Sequence, residues 1–81
     1  MKVILIHADW CAICQATKKM WNELGKEISF EYIEVNLTSP EGIEYVKKND
    51  IHSVPATLIN DKVAFFGLPE RKKTMEALRN G

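Results

Sequence analysis

The sequence predicts an α/β protein: a mixed four-stranded sheet flanked by three helices, in the order β-α-β-α-β-β-α. Three observations carry that expectation. The chain opens on an unbroken apolar run, KVILIH at 2–7, of the kind found in strands buried on both faces. A segment with helical spacing separates it from the alternating stretch ISFEYIEVN at 28–36. ATLI and VAFF then flank a short Asn60-Asp61-Lys62 turn, the pattern of a β-hairpin. A helical crossover requires the first two strands to be parallel with a right-handed connection, whereas a hairpin requires antiparallel strands. One mixed sheet with helices on both faces satisfies both requirements.

The first helix is expected from about Cys11 to Leu24. Ile13, Thr17, Met20, Trp21 and Leu24 recur at spacings of three and four and so share one face, which makes Trp21 a core residue. Gly25 follows as a residue suited to a left-handed helix end. In the second strand, Ile28, Phe30 and Tyr32 alternate with Ser29 and Glu31. In TSPEGIEYVKKND, Ser39 is a natural helix cap, and Pro40 takes the first helical position, where a missing N–H costs nothing. Ile43 and Val46 are expected to face inward, Gly42 to weaken the first turn, and Asn49 or Asp50 to end the helix. Gly67 breaks the fourth strand. Pro69 starts the last helix, with Met75 and Leu78 inward and Arg71, Lys72 and Lys73 outward.

A chain of 81 residues is expected to make one small domain, 1–81, burying only about 60% of the surface that its unfolded form exposes. Its 46% hydrophobic content is enough for an efficient core. Eleven Lys and Arg balance 11 Asp and Glu, so no basic excess marks a nucleic-acid binder. The Lys pairs at 18–19, 47–48 and 72–73 are expected on the solvated sides of helices. No stretch approaches the ~20 apolar residues of a membrane span, and VILI at 3–6 is too short for a signal-peptide core. A cytoplasmic monomer is expected. In that compartment structural disulfides are rare, and a close cysteine pair is more often catalytic or metal-binding.

Both cysteines, Cys11 and Cys14, fall in ADWCAIC at 8–14, where the first strand ends and the first helix begins. Functional sites in open α/β sheets favour this end. The free N–H groups and partial positive charge of a helix start stabilise a thiolate, the species that attacks disulfides. A spacing of three brings the second sulfur back near the first within one helical turn. Cys11, the outer thiol, would attack a substrate disulfide. Cys14 leans toward the helix body, is expected to be the less exposed, and would resolve the mixed disulfide. Two other readings stay open on the residues. The pair could be buried structural cysteines. It could also supply two of four zinc ligands, with His7 and His52 completing the set, although no second CxxC and no HxxxH accompanies it.

WCAIC after an apolar strand, VPAT opening a later one and a hairpin ending in Gly67 resemble the thioredoxin-fold redoxins, over nearly the whole chain. The short length, with no helix before KVILIH, looks like a glutaredoxin or a small glutaredoxin-like thioredoxin; Trp10 directly before Cys11 looks like thioredoxin. The resemblance implies the thioredoxin fold, with Cys11 as nucleophile and Cys14 as resolving thiol. It also implies that Pro55 is held in cis opposite the pair. That turn would present the Val54 backbone to an extended substrate for strand-like pairing. Trp10 would form a partly exposed apolar wall of the substrate groove, its alternative being a core aromatic. Gly67 is carried over as a substrate-binding position.

The chain also departs from the family patterns. Ala12-Ile13 stands between the cysteines where thioredoxins usually carry Gly-Pro and glutaredoxins Pro-Tyr. Leu5 occupies the place of the acid that thioredoxins bury six positions before the nucleophile, which leaves His7 as the nearest candidate to assist proton transfer from Cys14. Glutaredoxins bind glutathione through a Gly-Gly pair followed by an acid. Here the segment reads Gly67-Leu68-Pro69-Glu70, with one glycine and Glu70 as a loose substitute. Asp9 would either oppose a thiolate at Cys11 or cap the helix. The expected function is reduction of protein disulfides through a Cys11/Cys14 dithiol–disulfide cycle. Its partners would be protein disulfide substrates and a thioredoxin-reductase-like electron donor, with no cofactor or metal and no nucleic-acid or membrane partner. A glutathione-coupled glutaredoxin is the alternative. A CxxC metal-binding module is another, but small copper carriers of that kind have the order β-α-β-β-α-β.

Overall fold

The opening apolar run becomes β1 (Lys2–His7), with Val3–Ile6 fully buried because the strand is paired on both edges and covered on both faces. In the computed structural model, which describes residues 1–80, it is followed by α1 (Ala12–Leu24), β2 (Glu31–Asn36), α2 (Pro40–Asn49), β3 (Ala56–Ile59), β4 (Lys62–Phe66) and α3 (Arg71–Asn80). The four strands form one sheet in the order β2-β1-β3-β4. β1 runs parallel to β2, with Leu5 opposite Glu34, and antiparallel to β3, with Leu5 opposite Thr57. β3 and β4 are the antiparallel hairpin. The expected element order and mixed sheet are those observed.

Alternation along β1 divides the core in two. Val3 and Leu5 pack with Trp21 and Leu24 of α1, Ile59 of β3 and Leu78 of α3. Trp21 meets Phe30 edge-on at 5.6 Å between ring centroids and stacks on Tyr32 at 6.4 Å. Ile4 and Ile6 point the other way, into Val35, Ile51, Ala56 and Leu58, with Tyr45 and Val46 of α2 above them. Helices therefore cover both faces.

Several boundaries and orientations differ from the sequence reading. β2 begins at Glu31 rather than Ile28, where its ladder with β1 begins: Glu31 stands opposite Lys2, and its N–H reaches the Met1 carbonyl at 2.9 Å. Ile28 instead donates its N–H to the Leu24 carbonyl at 2.9 Å. The same continued winding keeps Gly25 right-handed, at φ −62°, so the expected left-handed cap is absent. Ile13 is 55% exposed: Ile13 and Cys14 stand about 100° apart on the first turn of α1, and it is Cys14 that is buried, in line with Thr17, Trp21 and Leu24 further along. Lys18, expected on a solvated face, is half-buried. α3 starts at Arg71 rather than Pro69, its first turn closed by the Thr74 N–H on the Glu70 carbonyl at 2.9 Å. In the hairpin, Asn60 and Asp61 both have positive φ, 49° and 69°, so the turn is two residues long and Lys62 belongs to β4.

Gly42 has a role that helix propensity hides. Ser39 caps α2 as expected, its hydroxyl accepting the Gly42 N–H at 3.0 Å. Gly42 is then pressed so close to the end of β2 that an added Cβ would lie 2.0 Å from the Asn36 carbonyl oxygen. This contact sets the rotation of α2. With Gly42 against the sheet, Ile43 turns outward and is 45% exposed, against expectation, while Val46 stays half-buried. Asp50 ends the helix in a left-handed conformation.

Two stability predictions follow from these contacts. Gly42→Ala must push backbone away from backbone and is expected to cost about 3 kcal/mol in urea unfolding. His7, buried at the end of β1, has its pKa lowered from 6.5 by burial and by Lys18, with Glu34 and Asp9 opposing. The unfolded chain therefore takes up a proton that the folded chain resists. Stability from this group is complete above pH 6.5 and declines as pH falls from there through the lower folded value. The slope is at most about 1.4 kcal/mol per pH unit, and His7→Phe should remove it from urea curves collected between pH 7 and pH 5.

Candidate active site

The two thiols are held by the end of β1. Where the strand stops, the Ala8 carbonyl accepts the Cys11 N–H at 3.2 Å. Cys11, extended at φ −97° and ψ 110°, is the residue that caps α1. Its Sγ accepts the Cys14 N–H at 3.1 Å, the place ordinarily taken by a Ser, Thr or Asp oxygen. Asp9 is therefore not the cap; its carboxylate accepts the Asn36 side-chain N–H at 3.2 Å. Cys11 is partly exposed, whereas Cys14, one turn on, is completely buried. Burial pushes the Cys14 thiol up to about 11, helped by its hydrogen bond with Cys11, while the Ala8 backbone and Lys18 pull it down. The pair thus consists of one accessible sulfur aimed at a helix start and one enclosed sulfur that keeps its proton at neutral pH.

Val54 and Pro55 arrive from the loop after α2. The peptide between them is cis, as the resemblance implied. The Val54 carbonyl oxygen lies 4.0 Å from the Cys11 Sγ. The Pro55 carbonyl accepts the Gly67 N–H at 2.7 Å, and Gly67 has φ +75°, a conformation that side chains disfavour. Trp10 is 71% exposed, so it is not core; it shares with Leu37, Ile51, His52, Ser53 and Val54 the lining of a groove of about 280 Å³. Leu37, Ile51 and Ser53 belong to no motif in the sequence. They reach the groove from the loops after β2 and α2, and only the apolar character of Leu37 and Ile51 hinted at a role. Ile13, Phe66 and Leu68 add exposed apolar surface.

Beneath the thiols the sheet is apolar at Leu5, but His7 and Thr57 are both buried. The His7 Nδ1 and the Thr57 Oγ1 have no hydrogen-bond partner among the described residues. His52 is elsewhere, exposed and paired with Asp50 at 2.8 Å. Among the described residues no three His, Cys, Asp or Glu side chains gather as a metal-ligand set, so the two histidines do not join the thiols.

Known proteins share this design. A model of the thioredoxin domain family matches residues 1–79. A thioredoxin of Methanocaldococcus jannaschii is 30% identical, over 98% of this chain and 93% of its own length. A probable thioredoxin of Archaeoglobus fulgidus is 29% identical, over 93% of this chain and 82% of its own. Among solved structures, a malaria parasite thioredoxin-2 superposes with a TM-score of 0.78 at 17% identity, covering 99% of this chain and 82% of that one, which bears on the fold alone. A family match of this extent, on a chain with this sheet and two neighbouring cysteines, means that the protein belongs to the thioredoxin domain family and is a thiol–disulfide oxidoreductase.

Proposed function

We propose that the chain reduces disulfides in proteins by cycling between a Cys11/Cys14 dithiol and disulfide, with electrons from a thioredoxin-reductase-like partner. The observation that carries this reading is the asymmetry of the thiols: the Cys11 sulfur is accessible at the helix start, and the Cys14 sulfur is enclosed directly behind it. In the first step the Cys11 sulfur attacks a substrate disulfide R–S–S–R′. A Cys11–S–R bond forms, and R′S⁻ leaves and takes a proton. In the second step Cys14 gives up its proton and attacks the Cys11 sulfur. The intramolecular disulfide forms and RS⁻ leaves, so two electrons have passed to the substrate.

The surroundings favour a polypeptide over glutathione. An extended segment laid beside Cys11 can pair with the Val54 backbone and place apolar side chains against Trp10, Leu37 and Ile51. Glutathione carries two carboxylates, yet among the described residues that line the groove His52 alone is ionisable, and the segment after Gly67 brings an acid, Glu70. The names of the archaeal relatives support the same choice. We place the reaction in the cytoplasm, where a reductase keeps such a pair reduced.

Cys11→Ser is expected to reduce insulin-type disulfides only at the background rate, and Cys14→Ser to accumulate a mixed disulfide visible on a non-reducing gel. Multiple turnovers by Cys11→Ser would sink the assignment. Turnover should appear with NADPH and thioredoxin reductase and stay at background with glutathione and its reductase; the opposite pattern would assign a glutaredoxin. Trp10→Ala should raise KM for a protein substrate roughly fivefold, a loss of about 1 kcal/mol.

A further inference from the structure

The two unpartnered atoms beneath the thiols belong together. His7 is 8% exposed and Thr57 is fully buried, so neither the His7 Nδ1 nor the Thr57 Oγ1 is satisfied by bulk solvent. Buried polar atoms left so are uncommon and point to a bound water. Both side chains share a face. Val3 and Leu5 point toward α1, and strand alternation sends His7 the same way. Thr57 stands directly opposite Leu5 in the β1–β3 ladder, one diagonal step from His7. Such diagonal neighbours are about 7–8 Å apart, a gap that one water between two polar side chains spans. Cys14 lies on the sheet-facing stripe of α1, and the Ala8 backbone, next to His7, is near enough to its thiol to ease ionisation.

We propose that His7 and Thr57 hold one water under Cys14, and that His7 is the positioning residue that takes the Cys14 proton through this water during resolution of the mixed disulfide. The proposal rests on the dithiol cycle above. That cycle needs an acceptor, because a thiol raised to about 11 is almost wholly protonated at pH 7, and Leu5 offers none. His7 is neutral there, lowered by burial and by Lys18 of α1 against Glu34 of β2 and Asp9 of the following loop; β3 contributes Thr57 and no charge. A neutral imidazole with its proton on Nε2 leaves Nδ1 to accept. In the step itself the Cys14 S–H bond breaks and the imidazole becomes imidazolium. The Cys14–Cys11 bond forms, and the Cys11–S–R bond breaks with the electron pair leaving on RS⁻. The imidazolium then returns its proton, through solvent, to RS⁻.

A symmetrical nitroaromatic disulfide tests this in one stopped-flow trace of the reduced chain, because each half-reaction releases one coloured thiolate. Cys11 attack releases the first equivalent, and Cys14 attack releases the second. His7→Phe is expected to slow the second about tenfold at pH 7 and to leave the first unchanged. Thr57→Val should slow the second by less, and the double variant should be no slower than His7→Phe, because both act on one path. The wild-type second phase should fall as pH drops through the His7 pKa, and that inflection should vanish in His7→Phe. Equal slowing of both phases would indicate a merely structural role and overturn the proposal, as would wild-type second phases in both single variants. Release of only one equivalent by the unsubstituted chain would be a different failure, that of the dithiol cycle itself.

Discussion

The His7 carbonyl accepts the Leu37 N–H at 2.7 Å, and the next carbonyl, that of Ala8, accepts the Cys11 N–H at 3.2 Å. These two bonds fasten the loops that leave β2 and β1 to the end of β1, a strand buried from Val3 to His7. A strand end without such partners would leave polar groups dry, so the loops are held where the sheet needs them. Cys11 follows directly from the second bond, and Leu37, on the first, lines the groove beside it. β3, paired to the other edge of β1, runs out of Pro55 and brings Val54 to the same end. The site is thus positioned by the ladder of β1, and the thiols inherit the rigidity of the core.

Using a sulfur as the helix cap has a chemical consequence. The lone pair that accepts the Cys14 N–H belongs to the atom that must attack. A Ser or Asp in that place would satisfy the helix equally well and do no redox chemistry. Because Cys11 already caps, Asp9 is left to bind Asn36, which in turn accepts from Thr38 at the start of the next loop. Its negative charge is engaged at the β2 edge and is not aimed at the helix start.

Most of the architecture was legible because it rests on periodicity. β1, the hairpin and the inward Trp21 each follow from a pattern a few residues long. At the candidate site, spacing and position singled out Cys11 and Cys14, whereas the cis bond before Pro55 was implied only by the family resemblance. What escaped depends on how the elements meet. α1 is rotated so that Cys14, not Ile13, begins its buried stripe, a shift of one residue that an apolar pattern containing both cannot resolve. The start of β2 was set by where β1 gives it a partner. Gly42 looked like a weak helix residue, and only the approach of Asn36 shows why no larger side chain fits there. Leu37, Ile51 and Thr57 lie far from the thiols in sequence, and ordinary burial explains each of them until the sheet order brings them to one place.

Leu5 and its neighbours show how polarity can be arranged under a buried thiol. A carboxylate at that depth must be desolvated, and the penalty is large unless a cation accompanies it. Here the central position is a leucine, packed without a desolvation cost, and the polar atoms are moved to its flanks on two strands. An imidazole and a hydroxyl are both uncharged at neutral pH, so they can occupy the same apolar floor with a much smaller penalty than an ion. Lys18, half-buried on the helix above, favours this neutral form of His7 and also the anionic form of Cys14. One cation therefore opposes protonation of both groups. Its field lowers the cost of a Cys14 thiolate but also makes His7 a weaker base, so transfer between them needs the imidazole only briefly, while the attacking thiolate is being consumed.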